Sequence, residues 1–389
     1  MEMESVTDGL NYHWGPKRPW DLVLGVFMDP EIIKSGDDAG NKMVVKFTYP
    51  DGVVIHGIGV PQAWDSPLGP TWCYVVEGEH LTLVDTGSNG TVQHLEEGLQ
   101  YVGYPLSAVD RIVVTHGHLD HDGNCFDVVS RSGAELWAHE IWGRFLGIGR
   151  RDEENDWRQR YLDFPSSRDP EWDKRIQNHQ ELSQKLTLTN PVTDGTVSED
   201  FTFYYTPGHS PDELCILHER LLFSGDHILP LITPHPSVSI SYEIFRSLMP
   251  EEYQNKNQYY GLKTFVTSLK RVAGLGEDIT VMPAHRAYFR GKFNPIGVDR
   301  ALVIADHHRS RCEDLINLVR KETMDLSEVT RKLFSHLQLD NQLFRMAFTE
   351  VISHVELLEE MGDITLVGDQ ARTVQWSGTE NFADFFEAD

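Results

Sequence analysis

Three histidines and two aspartates crowd into ten residues, "THGHLDHDGN" at 115–124, at the end of the apolar run "RIVVTHG" (111–117). Imidazole and carboxylate groups are costly to bury unless something binds them, so a strand that ends in this way restricts what the chain can become. In an extended segment His116 and His118 leave the same face. Asp120 and His121 follow where the chain turns toward the next helix. Four ligands with two aims exceed what one tetrahedral ion accepts alongside water, which points to a paired metal site.

Three other turns repeat the pattern. "TPGHS" places His209 after the strand "FTFYY", "FSGDH" places Asp226 after "RLLF", and "MPAH" places His285 after "ITV". Small residues clear space beside each ligand, and strand ends that converge on one edge of a sheet are natural sites for such groups. Taken alone, His209 or His285 would be read as a structural histidine. In this order and company, the seven read as one set.

The rest of the chain supplies a frame for them. Residues 1–42 read as an irregular N-terminal extension containing "HWGPKRPWD" (13–21). Strands begin at Met43, with "MVVKFTY" and "VVIHGIGV" flanking the turn "PDG", and "TWCYVVEGEHLTLVDTG" (71–87) forming a second hairpin. A helix is expected near 90–102, then strands at 111–117, 134–141, 201–210, 213–227 and 279–285. Between them, 151–185 is nearly half charged, with Trp157, Tyr161, Phe164 and Trp172 interspersed. That composition suits a helical insertion, read either as solvated surface or as a lid over an apolar part of a substrate. From Pro295 onward three amphipathic helices (299–322, 326–337, 342–362) precede a hairpin at 363–376, the order of a winged helix.

Sixty acidic residues against 34 basic ones give a net charge of −26, a field that repels phosphate backbones. Nucleic acid is therefore a disfavoured partner, and a small-molecule substrate the expected one. The third tail helix carries Arg345 against Glu350, Glu356, Glu359 and Glu360, the wrong sign for reading a DNA groove. Packing, or contact within a homodimer, is the expected role of the tail. No apolar run is long enough for a membrane span, and "MEMESVTDGL" lacks the features of a secretion signal, so the expected location is cytoplasmic. The four scattered cysteines (Cys73, Cys125, Cys215, Cys312) read as reduced core residues.

With these residues in view, the chain resembles the metallo-β-lactamase fold superfamily, whose hallmark HxHxDH is followed by separate His, Asp and His ligands. The resemblance covers about residues 43–295, and the remainder, 296–389, resembles the winged-helix appendage of the subgroup related to β-lactamase-like protein 2. It implies an α/β fold, a four-layer αββα sandwich with a winged-helix C-terminal domain. It implies one metal on His116, His118 and His209, a second on Asp120, His121 and His285, and Asp226 bridging the two. Zinc fits such ligands, as do ferrous iron and manganese. Asp85 in "LVDTG" matches the family's early strand-end aspartate and is expected to support a ligand from behind.

The implied chemistry is hydrolysis by a hydroxide shared between two metals, with Asp120 and Asp226 as the catalytic carboxylates. A carboxylic ester, thioester (acyl-CoA or carrier-linked) or lactone is the expected substrate, as in the glyoxalase-type thioesterases that "THxHxDHxG" resembles. The alternative is endoribonuclease or other phosphodiesterase activity of the winged-helix subgroup. A flavin-linked reductase of this fold would need a flavodoxin-like domain, and the tail has no phosphate-binding loop. For a phosphorylated thioester arm the candidate contacts are Lys174, Arg175, Arg286, Arg290 and Lys292. Among the other histidines, His218 reads as surface and His307-His308 as packing. His227 divides between lining and structure, and His235 lies on a loop where a substrate contact is weighed against a structural role. Tyr253, Tyr259 and Tyr260 are weighed as facing the mouth of the site.

Overall fold

A computed structural model describes residues 30–50, 52–146, 170–199, 201–238, 246, 249–254, 259–336, 341–368 and 372–388. Eight strands form the first sheet in sequence order: β1 (Glu31–Lys34), β2 (Val44–Thr48), β3 (Val54–Val60), β4 (Thr71–Val76), β5 (Thr82–Val84), β6 (Arg111–Val113), β7 (Glu135–His139) and β8 (Asn190–Val192). The first four pairings are antiparallel and the last three parallel. The second sheet takes β9 (Val197–Ser198), β10 (Phe201–Tyr205), β11 (Leu214–His218), β12 (Leu221–Gly225) and β13 (Thr280–Pro283). A small hairpin, β14 (Tyr288–Phe289) and β15 (Lys292–Phe293), precedes its edge strand β16 (Ile296–Gly297).

Alternation along the strands sets the layers. On β4, Trp72, Tyr74 and Val76 join Phe201, Phe203, Ile216 and Phe223 in the core between the sheets. Cys73 and Val75 turn the other way and pack with helix α1 (Val92–Val102) and helix α2 (Cys125–Ser132). Gly98 lets α1 lie close on the sheet, since a Cβ there would stand 2.3 Å from Ile58 Cγ2. Two further helices are α3 (Glu140–Phe145), of under two turns, and the longer α4 (Pro170–Ser183). On the second sheet, Cys215, Leu222 and Val281 face away from the first and meet helix α5 (Gly261–Ala273). Strands buried on both faces explain why the sequence reads there as near-continuous apolar runs.

The tail continues this outer core. Helices α6 (Arg300–Val319), α7 (Leu326–Leu333), α8 (Asn341–Glu360) and α9 (Phe382–Glu387) share one apolar cluster with α5 and the sheet, from Leu222 through Leu315 and Phe348 to Phe382. A three-stranded sheet closes it, β17 (Met324–Asp325) pairing with β19 (Thr373–Trp376), which pairs with β18 (Ile364–Val367). No helix among the described residues is long and apolar enough to cross a membrane.

Strand direction carries the site. β10 and β12 are both antiparallel to β11, and β13 is parallel to β12, so all three end at the same edge. β5 and β6 are likewise parallel. The edges of the two sheets are tied there by Trp72 N–H to Ala284 O at 2.7 Å and Leu214 N–H to Thr115 O at 2.9 Å.

Three expectations need correcting. Within the extension read as irregular, Glu31–Lys34 adds a strand to the sheet edge on β2; its sequence, EIIK, is too short for periodicity to mark it. The run 213–227 is two strands, turned at Glu219, whose φ is +53°; "HER" carries neither Gly nor Asn to announce a hairpin. His218 is buried against Phe201, ring centroids 5.0 Å apart, where its charged neighbours suggested surface.

Buried neutral histidines make the fold acid-sensitive. His139 accepts Ile141 N–H at 3.3 Å, stacks on Tyr205 at 4.0 Å, and burial lowers its pKa to about 3. Its folded pKa lies below the ordinary value near 6.5, so its contribution is full above that pH and is lost as pH falls toward the folded value. Unfolding free energies from urea titrations at pH 7 and pH 5 should show a drop that shrinks by about 2 kcal/mol in His139→Asn, which keeps a helix-capping acceptor. An unchanged drop would remove His139 from the account.

Candidate metal centre

The loop after β6 opens the site. Thr115, at the strand's end, gives its N–H to Asp85 Oδ1 at 2.8 Å and its hydroxyl to Asp85 Oδ2 at 2.8 Å. Asp85 itself sits at φ +59°, a conformation few non-glycine residues adopt without support, and here it is over-determined by its partners. The same carboxylate reaches His121 Nδ1 at 2.9 Å. Asp85 therefore fixes the loop backbone and one imidazole together.

Two groups of ligand atoms converge. His116 Nε2 lies 2.8 Å from His118 Nδ1, and His209 Nε2 lies 3.1 Å from the same nitrogen. Asp226 Oδ2 stands 3.6 Å from His209 Nε2. In the second group His285 Nε2 is 3.3 Å from Asp120 Oδ2, and His121 Nε2 is 3.9 Å from Asp120 Oδ1. Asp226 Oδ1 is 3.4 Å from His285 Nε2 and 3.6 Å from His121 Nε2. One carboxylate thus turns an oxygen toward each group. His116, His118, His209 and Asp226 make one cluster that could hold an ion, and Asp120, His121 and His285 make another.

Each imidazole presenting Nε2 has an acceptor at or near Nδ1. His121 uses Asp85, His209 uses His235 O at 2.7 Å, and His285 uses Pro70 O at 3.0 Å. His116 Nδ1 lies 3.2 Å from Thr115 Oγ1 and 3.7 Å from Glu213 Oε1. A proton held at Nδ1 leaves the Nε2 lone pair for a cation. Among the described residues, His121 Nε2, His285 Nε2 and Asp226 Oδ1 are buried without a hydrogen-bond partner. These atoms all face the second group, where a divalent cation would satisfy all three. The donors fit zinc, iron or manganese.

Electrostatics follow from the crowding. Burial opposes charge on His121, yet Asp226, Asp120 and Asp85 hold its pKa well above the ordinary value. Burial, reinforced by the neighbouring imidazoles, pushes His116 well below its own. Burial would raise Asp226, but His285 and His121 outweigh it and keep the carboxylate ionised.

Residues that the sequence reading passed over complete the surroundings. Glu213 is fully buried, accepts Asp226 N–H at 3.1 Å, and is driven by burial and by Asp226 toward its protonated form. Asp212 accepts Gly117 N–H at 2.8 Å. Gln62 donates to Asp120 Oδ2 at 3.1 Å. Asp122 takes Trp142 Nε1–H at 3.0 Å and His179 Nε2 at 2.7 Å, which anchors α4 behind the loop. The one available signal was an acid placed directly before or after a ligand or an apolar run, as in "DHDGN" and "PDELCIL".

Other candidates fall elsewhere. His227 is buried edge-on to Phe265. His235 contributes its carbonyl, which accepts from His209 Nδ1. Tyr253 and Tyr259 pack with Tyr205, Tyr253 also with His139, and Tyr260 is buried. Arg286 stacks on Phe289 and donates to Pro67 O at 3.0 Å, while Lys174 pairs with Glu171 on the surface. His308 packs between Phe265 and His354. Of the segment read as a lid, residues 151–169 lie outside the described residues.

Residues 66–285 match the metallo-β-lactamase superfamily. The chain belongs to that superfamily. It is 26% identical over 326 residues, 80% of its own length and 92% of the relative's, to the probable metallo-hydrolase YqjP of Bacillus subtilis (strain 168). Its fold is similar to that of the metallo-β-lactamase family protein TTHA1429 from Thermus thermophilus (TM-score 0.63, 24% identity, 83% of this chain and 98% of that one). A β-lactamase domain protein from Burkholderia ambifaria is similar too (TM-score 0.64, 18% identity, 89% and 97%). Coverage that high cannot be reached without residues beyond 285, so the likeness of fold extends into the tail. Superfamily membership and the paired His/Asp clusters make the chain a dinuclear metallohydrolase.

Asp226→Ala removes the carboxylate shared by both clusters. Metal content per chain, measured by elemental analysis after dialysis, should fall together with turnover. Two retained ions and full activity would contradict the bridging role.

Proposed function

We propose that this centre hydrolyses a carboxylic ester, thioester or lactone of a small-molecule substrate, with two divalent ions, zinc foremost, as cofactors. The observation that carries the reading is Asp226, one carboxylate facing two imidazole-lined clusters. Bound there, the ions would supply an acidified water and polarise the carbonyl under attack. His116, His118 and His209 would hold one and Asp120, His121 and His285 the other. Gln62 steadies Asp120, whose remaining acceptor capacity orients the attacking water. Asp85, Pro70 O and His235 O keep three imidazoles in the tautomer that binding requires.

The substrate class rests on charge and on the tail. A net charge of −26 opposes an extended polyanion such as RNA more than a compact thioester, whose few phosphates local basic side chains can meet. We read the tail as a winged helix, supported by its order of helix, strand, two helices and hairpin, with β17 beside β19. Its third helix, α8, commits Glu350 to Arg311 at 3.2 Å and Glu360 to Lys263 at 2.6 Å, and packs its apolar face on α5 and α6. That supports a packing role over groove reading. A cytoplasmic location belongs to the same reading and is supported by four free, buried cysteines.

The decisive panel is purified protein loaded with zinc, iron or manganese and offered acyl-CoA, a glutathione thioester, a lactone and single-stranded RNA. Turnover of a thioester, ester or lactone is expected. Cleavage of RNA alone would overturn the substrate class and leave an endoribonuclease.

A further inference from the structure

The segment after Asp226, "HILPLITPHPSV" (227–238), carries three prolines, at 230, 234 and 236. It belongs to neither sheet and forms no helix. His235 lies between two prolines, so its carbonyl is part of a tertiary amide in extended chain and serves no ladder. That carbonyl is the acceptor for His209 Nδ1 at 2.7 Å. Two residues on, Ser237 gives its N–H (2.6 Å) and its hydroxyl (2.8 Å) to Gly208 O, while Gly261 N–H at the start of α5 donates to Ser237 Oγ at 3.1 Å. Gly208, at φ +138°, admits no side chain, because a Cβ would stand 2.3 Å from Phe265 Cα. The His209 loop is thus held between this strap and α5.

The strap is itself held from the tail. Arg300, the first residue of α6 and only 5% exposed, donates Nε–H to Leu229 O at 3.0 Å and Nη2–H to Ile232 O at 2.9 Å. Between those carbonyls Leu231 sits at φ +66° and is 36% exposed. A leucine in the left-handed region with so little burial to offset it persists only where its surroundings fix it, and the guanidinium fork does so on both sides.

We infer that Arg300 is a positioning residue for the metal centre: through the strap it fixes the acceptor that sets the tautomer and aim of His209, so the tail helices are part of the first cluster's scaffold. The inference rests on the proposed two-metal reading and gives the tail a task within it. Acceptors that orient a ligand from behind change metal affinity by roughly 10–100-fold when removed.

The test is a double-mutant cycle on the full chain, read as zinc affinity by competition with a chromophoric chelator. Arg300→Met should weaken zinc binding by roughly 10–100-fold at one of two sites. In a His209→Ala background the same change should add nothing further. Leu315→Ala, which opens a cavity in α6 away from the strap, should lower the melting temperature and leave both affinities alone. Leu231→Gly should recover part of the affinity lost in Arg300→Met by relaxing the turn. An equal loss with and without His209, or an equal loss in Leu315→Ala, would make Arg300 a stability residue and end the inference. A wild-type chain that binds no zinc, iron or manganese would instead defeat the two-metal reading itself.

Discussion

Three buried ligand atoms, His121 Nε2, His285 Nε2 and Asp226 Oδ1, face one another without a hydrogen-bond partner among the described residues. Leaving such atoms unsatisfied costs on the order of 1–3 kcal/mol each, more where charge is involved. The protein holds them there rather than letting them relax. It does so by fixing each from behind, with Asp85 on His121, Pro70 O on His285 and Glu213 on the Asp226 backbone. The strain belongs to the same arrangement, for Asp85 and Arg286, both beside the ligands, occupy left-handed backbone conformations. A divalent cation bound there would relieve the electrostatic part of this cost, which would couple metal binding to stability.

The sheets make that arrangement possible. Ligands from four separate loops meet because β10, β12 and β13 share a direction and an edge, and because β6 ends opposite β11. The strands are buried on both sides, and the helices on the outer faces of the sandwich leave the ligand edge to loops. A site of this kind tolerates loop variation while holding its imidazoles, which is how one scaffold can serve many substrates.

Much of this was legible in the sequence, for physical reasons. Ligand-rich turns after apolar strands mark themselves, since nothing structural asks for His-x-His-x-Asp-His at the end of a buried strand. The structure brings the seven side chains read as ligands, together with Asp85, to one edge of the sheets. Supporting groups were harder to see. Glu213 and Arg300 act only through distances set by the fold, and a lone acid or base in sequence reads as surface. The His209–His235 contact uses a main-chain carbonyl, which no residue type announces. Edge strand β1 and the Glu219 turn escaped because four residues carry no period and the turn lacks glycine. The lid reading rests on four aromatic residues spaced along 151–185, of which only Trp172, on α4, falls among the described residues; His179 pins that helix to Asp122.

If seven side chains gather two cations with Asp226 between them, anomalous scattering at the metal edge from crystals grown with zinc or manganese will locate both ions. Two peaks are predicted, one among His116, His118 and His209 and one among Asp120, His121 and His285, each within bonding distance of a different Asp226 oxygen. A single peak, or density outside these groups in a chain that still turns over substrate, would contradict the account.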